Sequence, residues 1–506
     1  MMQIIAERTS FFSQPWLVVV TACAIYSLLR IGRALVHPLR NVPGPKWARF
    51  TRLWYLRAVN NGNFEMANID LHRAHGPVVR IAPGQYSLDD PEASRIVYSH
   101  SSAFVKAPWY FASSNPSPES HDLFTDVDPR RHAANRRRVA SLYSMTSLVQ
   151  MEPCVAECTA AFIDRLTEFA ESGQPFNLQH WMQFYAFDVI GLITVNKRFG
   201  FLDSGKDQDS LIASLHSYLV YAAHVGIYHE LHPFLSKLLD FLPATGIAHL
   251  ATFTLQQISE TRKMLANSKS SGSSDPFLKK LLDMQAKNPE KISNADIFTT
   301  CITNIGAGSD TTSVSLTAIL YNLCKHPSVY QKLREELRLA EADKRLSSHE
   351  VTFQQSQALP YLQACIKEAL RLHPATGLPL ARVVPKGGAT ISGRYFPEGE
   401  IVGVNAWVAH RNRAVFGDDA DEYRPERWME DPARLSEMER NFLAFGGGAR
   451  TCIGKNISLM EIGKLIPQLI RRFDFELVDP EAEAKTQNVW FVKQLDIQCR
   501  VRLRNA

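Results

Sequence analysis

The spacing of apolar positions changes abruptly along this chain. Residues 11–29 carry no charge and are largely apolar, including Trp16-Leu17-Val18-Val19-Val20. That run approaches the ~20 residues a helix needs to cross a bilayer. Beyond it the apolar positions become periodic. Leu459, Ile462, Ile466, Leu469 and Phe473 recur every three to four residues, which predicts a helix over 458–473 with a kink at Pro467. Ser293 with Asp296 three residues later predicts a capped start for a long helix that ends before Pro327. Pro360 suits the first turn of another helix. Residues 187–253 are helical in pattern and rich in aromatic residues and histidine. Short runs at 77–82 and 85–88, split by Pro83-Gly84, predict strands, as do 390–395 and 401–407. The expected fold is mainly α with small β-sheets, preceded by one transmembrane helix.

Charge orients the first segment. Arg30, Arg33, Arg40, Lys46 and Arg49 follow the apolar run, and only Glu7 and Arg8 precede it. The positive-inside rule then puts the body of the chain in the cytosol. The expected organisation is a lumenal segment 1–10, an anchor 11–29, a basic and Pro-rich hinge 30–46 around Pro43-Gly44-Pro45, and a catalytic body 47–506. A cleaved signal peptide is the alternative, since Ala22-Cys23-Ala24 mimics a cleavage site, although that site falls midway through the apolar run. With 506 residues, 45% hydrophobic and 21% charged, the chain can bury a large core, and a net charge of +5 does not argue for nucleic acid. The eight cysteines are scattered, without a zinc pattern or a disulfide framework, as suits reduced thiols in a cytosol-facing domain.

Two stretches carry candidate chemistry. In the first, Phe445-Gly446-Gly447-Gly448-Ala449-Arg450-Thr451-Cys452-Ile453-Gly454 sets one cysteine in a Gly-rich loop at the start of an amphipathic helix. A metal-bound thiolate is favoured there, because the unpaired N–H groups and dipole of a helix N-terminus stabilise an anion. A buried free thiol in a Gly-rich turn is the plainer alternative. The second is Gly306-Ala307-Gly308-Ser309-Asp310-Thr311-Thr312, in the middle of the long predicted helix. Two interior glycines cost a helix roughly 1 kcal/mol each, and an acid beside a hydroxyl can relay protons. A Gly-softened helix whose threonines bond back to its own carbonyls is the alternative.

The pattern Phe-x-x-Gly-x-Arg-x-Cys-x-Gly resembles the haem-ligand loop of the cytochrome P-450 family, and Ala307 to Thr312 resembles its oxygen-activating segment. The resemblance covers nearly everything after the hinge and is nearest to membrane-bound, pisatin-demethylase-like members from filamentous fungi. It implies a cytochrome P-450 fold with Cys452 as axial ligand of the iron of haem b. Arg450, His132, Arg136 and Arg382 are then expected at the haem propionates, with Phe445 beside the sulfur. Gly448 and Gly454 would let backbone approach the porphyrin, and Ala307 and Gly308 would let the long helix pass over it. Asp310 and Thr311 would form the catalytic proton relay. Glu368, Arg371 and Arg427 would form a buried structural triad. Residues 108–118 would roof the substrate pocket, and the arginines of 128–138 left over from haem binding would face an acidic electron donor. The implied activity is insertion of one oxygen atom from O2 into an apolar small molecule, in secondary metabolite biosynthesis. The implied partners are an NADPH-cytochrome reductase, with cytochrome b5 as a second donor, and the endoplasmic reticulum bilayer. A haem-thiolate isomerase or dehydratase and a xenobiotic-detoxifying monooxygenase are the alternatives.

Overall fold

A computed structural model of the chain describes residues 2–114, 122–239, 246–267, 275–347 and 349–504. Its first helix, Met2–Val36, is longer than the anchor expected at 11–29. The stretch apolar enough to span a bilayer is Trp16–Val36, and none of it is buried against the rest of the chain. Arginine is a good helix former, so Arg30 and Arg33 do not end the helix. Pro38 does, by disfavouring helical backbone at His37.

The body is organised around the helix Asn294–Lys325. Ser293 and Asp296 cap it reciprocally: Ser293 Oγ accepts from the Asp296 N–H (3.1 Å) and Asp296 Oδ2 accepts from the Ser293 N–H (2.8 Å). Such a cap contributes about 1 kcal/mol. Past Asp310 this helix is buried on all sides, with Val314, Leu316, Ile319 and Leu320 in the core, the pattern of a helix enclosed by others. It packs on Leu178–Val195, which is itself almost entirely buried, and on Pro360–Leu372 and Lys455–Arg472. The last of these runs unbroken through Pro467, because Ile466, Leu469 and Ile470 are buried around it.

A five-stranded sheet lies to one side, in the order Val78–Ala82, Gln85–Leu88, Ile401–Val404, Arg382–Val383, Val105–Lys106. The strand expected over 401–407 stops at Val404, where Asn405 accepts from the Trp407 N–H (3.0 Å) and starts a short helix, Ala406–Ala409. The strand expected over 390–395 is a tight hairpin, Ala389–Ile391 with Arg394–Phe396. Ser392 and Gly393 at its tip both have positive φ (49° and 70°), as a two-residue turn of this hand requires. Near the C-terminus Lys485–Val489 pairs with Phe491–Leu495, leaving Trp490 alone at the tip with φ 85°. Most of the Ser/Gly-rich stretch 267–275, and the part of the 108–118 loop beyond residue 114, lie outside the described residues.

Candidate active site

The Cys452 loop closes on itself. The Cys452 N–H donates to Phe445 O (2.8 Å) and the Thr451 N–H to Gly448 O (3.1 Å). Gly454 occupies the N-cap of Lys455–Arg472, so the N–H groups of Gly454 and Lys455 lie near enough to the sulfur to favour its thiolate. Burial pushes the Cys452 thiol up; those two donors and the charges of Arg136 and Lys455 pull it back toward the thiolate. Cys452 lies deep in the fold yet keeps accessible surface, as a residue lining an internal space does. Thr312 Oγ1 meets Ser458 Oγ at 2.8 Å and holds the long helix beside the Cys452 helix.

On the long helix, Ala307 is exposed although Ile305 and Ser309 on either side are buried. The Thr311 hydroxyl donates back to Ala307 O (2.9 Å). Asp310 is fully buried, and its oxygens go elsewhere. Oδ1 accepts from Gln183 Nε2, and Oδ2 pairs with Lys493 Nζ at 2.8 Å, across from the C-terminal hairpin. No local pattern pointed to Lys493.

A group of cations gathers above the cysteine loop. Arg136 donates to Thr451 O (2.8 Å), Arg450 to Asp126 O (2.7 Å) and Arg382 to Ala381 O (2.9 Å). His132 is buried beside Arg450, Lys106 and Arg136; burial first, then those charges, push its pKa down to about 4. Lys106 is buried too, donates to Phe124 O and lies over the Tyr110 and Phe124 rings (4.3 and 4.6 Å). It was not expected from sequence. The strand register makes Lys106 the direct partner of Arg382, and like charges placed opposite across a sheet repel. Among the described residues, none of Lys106, His132, Arg136, Arg382 and Arg450 is ion-paired with a carboxylate, and the hydrogen bonds of the four cations go mainly to backbone carbonyls. A cation cluster beside an accessible thiol, with Lys106 and Arg382 buried, Arg136 and Arg450 half-buried, and Asp122 and Asp126 near but not ion-paired to it, fits a planar metal group with acidic arms.

Glu368, Arg371 and Arg427 meet with all three side chains fully buried. Glu368 Oε2 accepts from Arg371 Nε (2.8 Å) and Trp428 Nε1 (2.9 Å), and Oε1 accepts from Arg427 Nε (2.8 Å) and the Arg424 N–H (2.9 Å). Arg371 also donates to the carbonyls of His410 (2.7 Å) and Glu422 (2.9 Å).

The sequence model of the family described as Cytochrome P450 matches residues 42–498. The chain belongs to the cytochrome P450 family. Pisatin demethylase of Fusarium vanettenii is 40% identical over 481 residues, covering 94% of this chain and 93% of the relative. Cytochrome P450 monooxygenase gsfF of Penicillium aethiopicum is 38% identical over 484 residues, covering 93% and 94%. Cytochrome P450 monooxygenase cicH of Emericella nidulans is 35% identical over 475 residues, covering 92% and 94%. The chain is therefore an oxidoreductase of the monooxygenase type, and its family implies haem, O2, a redox partner and a small-molecule substrate.

Three glycines in this P450 do work other than the one the motifs suggest. A Cβ on Gly308 would sit 3.0 Å from Ile190, and one on Gly306 would sit 3.1 Å from Leu250, so both make room for neighbouring helices. A Cβ on Gly448 (φ 58°) would fall 1.7 Å from Tyr98 O, so that glycine admits the backbone at Tyr98 and Ser99. Gly454 is different, because its Cβ would meet only the Cys452 sulfur, at 3.9 Å. The basic run is also less free than its sequence suggests. Arg131 pairs with Asp126 (2.7 Å) and Arg138 with Asp296 (3.7 Å), leaving Arg130 and Arg137 as its exposed, unpaired arginines.

Proposed function

We propose that this P450 is a single-pass protein of the endoplasmic reticulum membrane that uses haem b to insert one oxygen atom from O2 into an apolar small molecule of secondary metabolism. NADPH is the electron source, through a cytochrome reductase. The observation that carries the proposal is the accessible Cys452, with backbone N–H groups near its sulfur and a cluster of cations beside it that lack carboxylate ion pairs. Bound haem supplies the reductive activation of dioxygen, while the protein supplies position and protons. Cys452 holds the iron, and Phe445 packs beside the sulfur. His132, Arg136, Arg382, Arg450 and Lys106 bind the propionates, which relieve the repulsion between Lys106 and Arg382. Ala307 and Thr311 present their side chains toward the substrate side of the cofactor.

Proton supply falls to Thr311 and Asp310. The Thr311 hydroxyl keeps its lone pairs free while it donates to Ala307 O. Asp310, next along the helix, is held in place by Lys493 and Gln183, which pair with its carboxylate and position it. The Glu368 triad takes no part in chemistry and fixes the scaffold behind the loop. Trp109 Nε1 is buried without an acceptor and can hydrogen-bond an oxygen on the substrate. Arg130 and Arg137 offer positive charge to an acidic donor.

The anchor Trp16–Val36 supports the membrane placement. Leu231, Phe234 and Leu238 also expose large apolar side chains (51%, 74% and 62%), and the Arg52 guanidinium, donating to Ile227 O (3.0 Å), ties that region to the hinge side of the body. Turnover with a matched reductase under isotopically labelled O2 tests the proposal. One labelled oxygen atom transferred to the substrate for each O2 consumed, the other leaving as water, supports it, and turnover without O2 or NADPH replaces it with an isomerase or dehydratase.

A further inference from the structure

Just past the anchor, the Pro-rich hinge folds over the sheet and encloses a recess of about 340 Å³. It is lined by Asn41, Pro43 to Lys46, Arg49 and Arg80, among others, with three cations and no carboxylate in the lining. Its volume falls near the lower end of the roughly 300–1,000 Å³ of small-molecule pockets. Arg80 forms its inner wall. It is only 4% exposed, yet its Nε has no acceptor. Its NH2 donates to Leu39 O and its backbone N–H to Pro43 O (2.8 Å), so the guanidinium is fixed in place. Gly44 permits that fit: at φ 150° it lies so close to Arg80 that a Cβ would fall 2.3 Å from the Arg80 carbonyl oxygen. Among the described residues, no carboxylate is ion-paired with Lys46, Arg49 or Arg80. Glu400, the carboxylate that Arg80 senses, does not line the recess and lies 3.1 Å from His37 Nε2.

We propose that this recess binds the phosphate of an anionic phospholipid headgroup. An arginine fork and a lysine are suited to phosphate oxygens, and a buried guanidinium with no carboxylate partner and one N–H unmet is stabilised by a nearby anion. Position favours a lipid over a free anion. The helix Met2–Val36 ends five residues before Asn41, so the recess opens within ~18 Å of chain from the end of the apolar span. The side of the bilayer where arginines follow a span is also the side with anionic headgroups. The site is separate from the haem chemistry and stands or falls without it.

The test uses full-length holoprotein in neutral detergent, where no charged surface competes, with bound lipid counted by native mass spectrometry. Phosphatidic acid is expected to be retained at one per chain and phosphatidylcholine with the same acyl chains to be lost. The double variant Lys46→Gln/Arg49→Gln, both residues lying at the mouth, is expected to weaken phosphatidic acid retention about tenfold or more. Arg30→Gln/Arg33→Gln, which removes equal charge outside the recess, is expected to leave retention unchanged. Equal losses from both double variants would overturn the site in favour of diffuse attraction along the basic segment. Saturable binding of inorganic phosphate alone, displacing the lipid, would overturn the lipid as its occupant.

Discussion

Two clusters of basic side chains, one around Glu368 and one beside the Cys452 loop, are built on opposite plans. Around Glu368 the charges are matched: Oε2 accepts two donors and Oε1 three, and Arg371 and Arg427 spend other N–H groups on carbonyls such as those of His410 and Asp419 and on the Asp419 carboxylate. Around Lys106, Arg382 and Arg450 positive charge accumulates without carboxylate partners, and strand register even sets Lys106 against Arg382. The first arrangement is complete without anything added. The second gains stability from an anion supplied from outside the chain. A closed polar network is scaffold, whereas an open one of the same residue types marks a binding site.

Mutations can separate the two plans. Glu368→Gln is expected to have the largest effect, about 3–5 kcal/mol of stability, because it strands two buried guanidinium groups. The denaturation midpoint measures it, and a variant as stable as the parent would move the triad out of the scaffold role. Lys106→Met is expected to act with opposite signs in the two forms. The apoprotein should melt higher, since a buried unpaired charge is gone, while haem should pass to an acceptor globin about tenfold faster. Destabilisation of both forms would make Lys106 another scaffold residue.

Lys493→Met tests the buried pair that lies between these extremes. Product formed per NADPH consumed is expected to fall several-fold, with partial rescue by Lys493→Arg; unchanged coupling in the Met variant would make the pair a mere packing feature. The smallest effect is expected from Glu461→Gln. Both Glu461 oxygens are buried without partners, and burial holds its carboxyl well above the usual carboxylate range. A raised folded-state pKa leaves stability intact below the unfolded value of about 4.5. That stability is lost as pH rises above it. The amide should therefore give no advantage at pH 4 and on the order of 1 kcal/mol at pH 8, read from paired thermal melts.

Local signals were the legible ones. The Ser293–Asp296 cap, the strands around Pro83-Gly84 and the Cys452 loop depend on residues a few positions apart, so their spacing alone exposes them. Lys493 and Lys106 were invisible for the opposite reason. Lys493 reaches Asp310 across more than 180 residues of chain, and Lys106 acquires its meaning from a two-residue strand pairing with Arg382. The motif glycines have neighbours that the motifs do not name. Gly306, Gly308 and Gly448 sit where the cofactor motifs put them, but the atoms they make room for belong to Leu250, Ile190 and Tyr98. A motif fixes residue type and order, not which neighbour imposed the constraint.

Of the seven free cysteines whose side chains are described, five are buried, Cys324 is partly so, and Cys452 alone is exposed. The molecule thus carries a built-in gauge of its own assembly. A mild alkylating reagent should mark Cys452 in the apoprotein and leave a thiolate engaged by iron untouched, so label at Cys452 reports empty sites. Counting labelled chains would then give the loaded fraction of any preparation without recourse to colour or turnover.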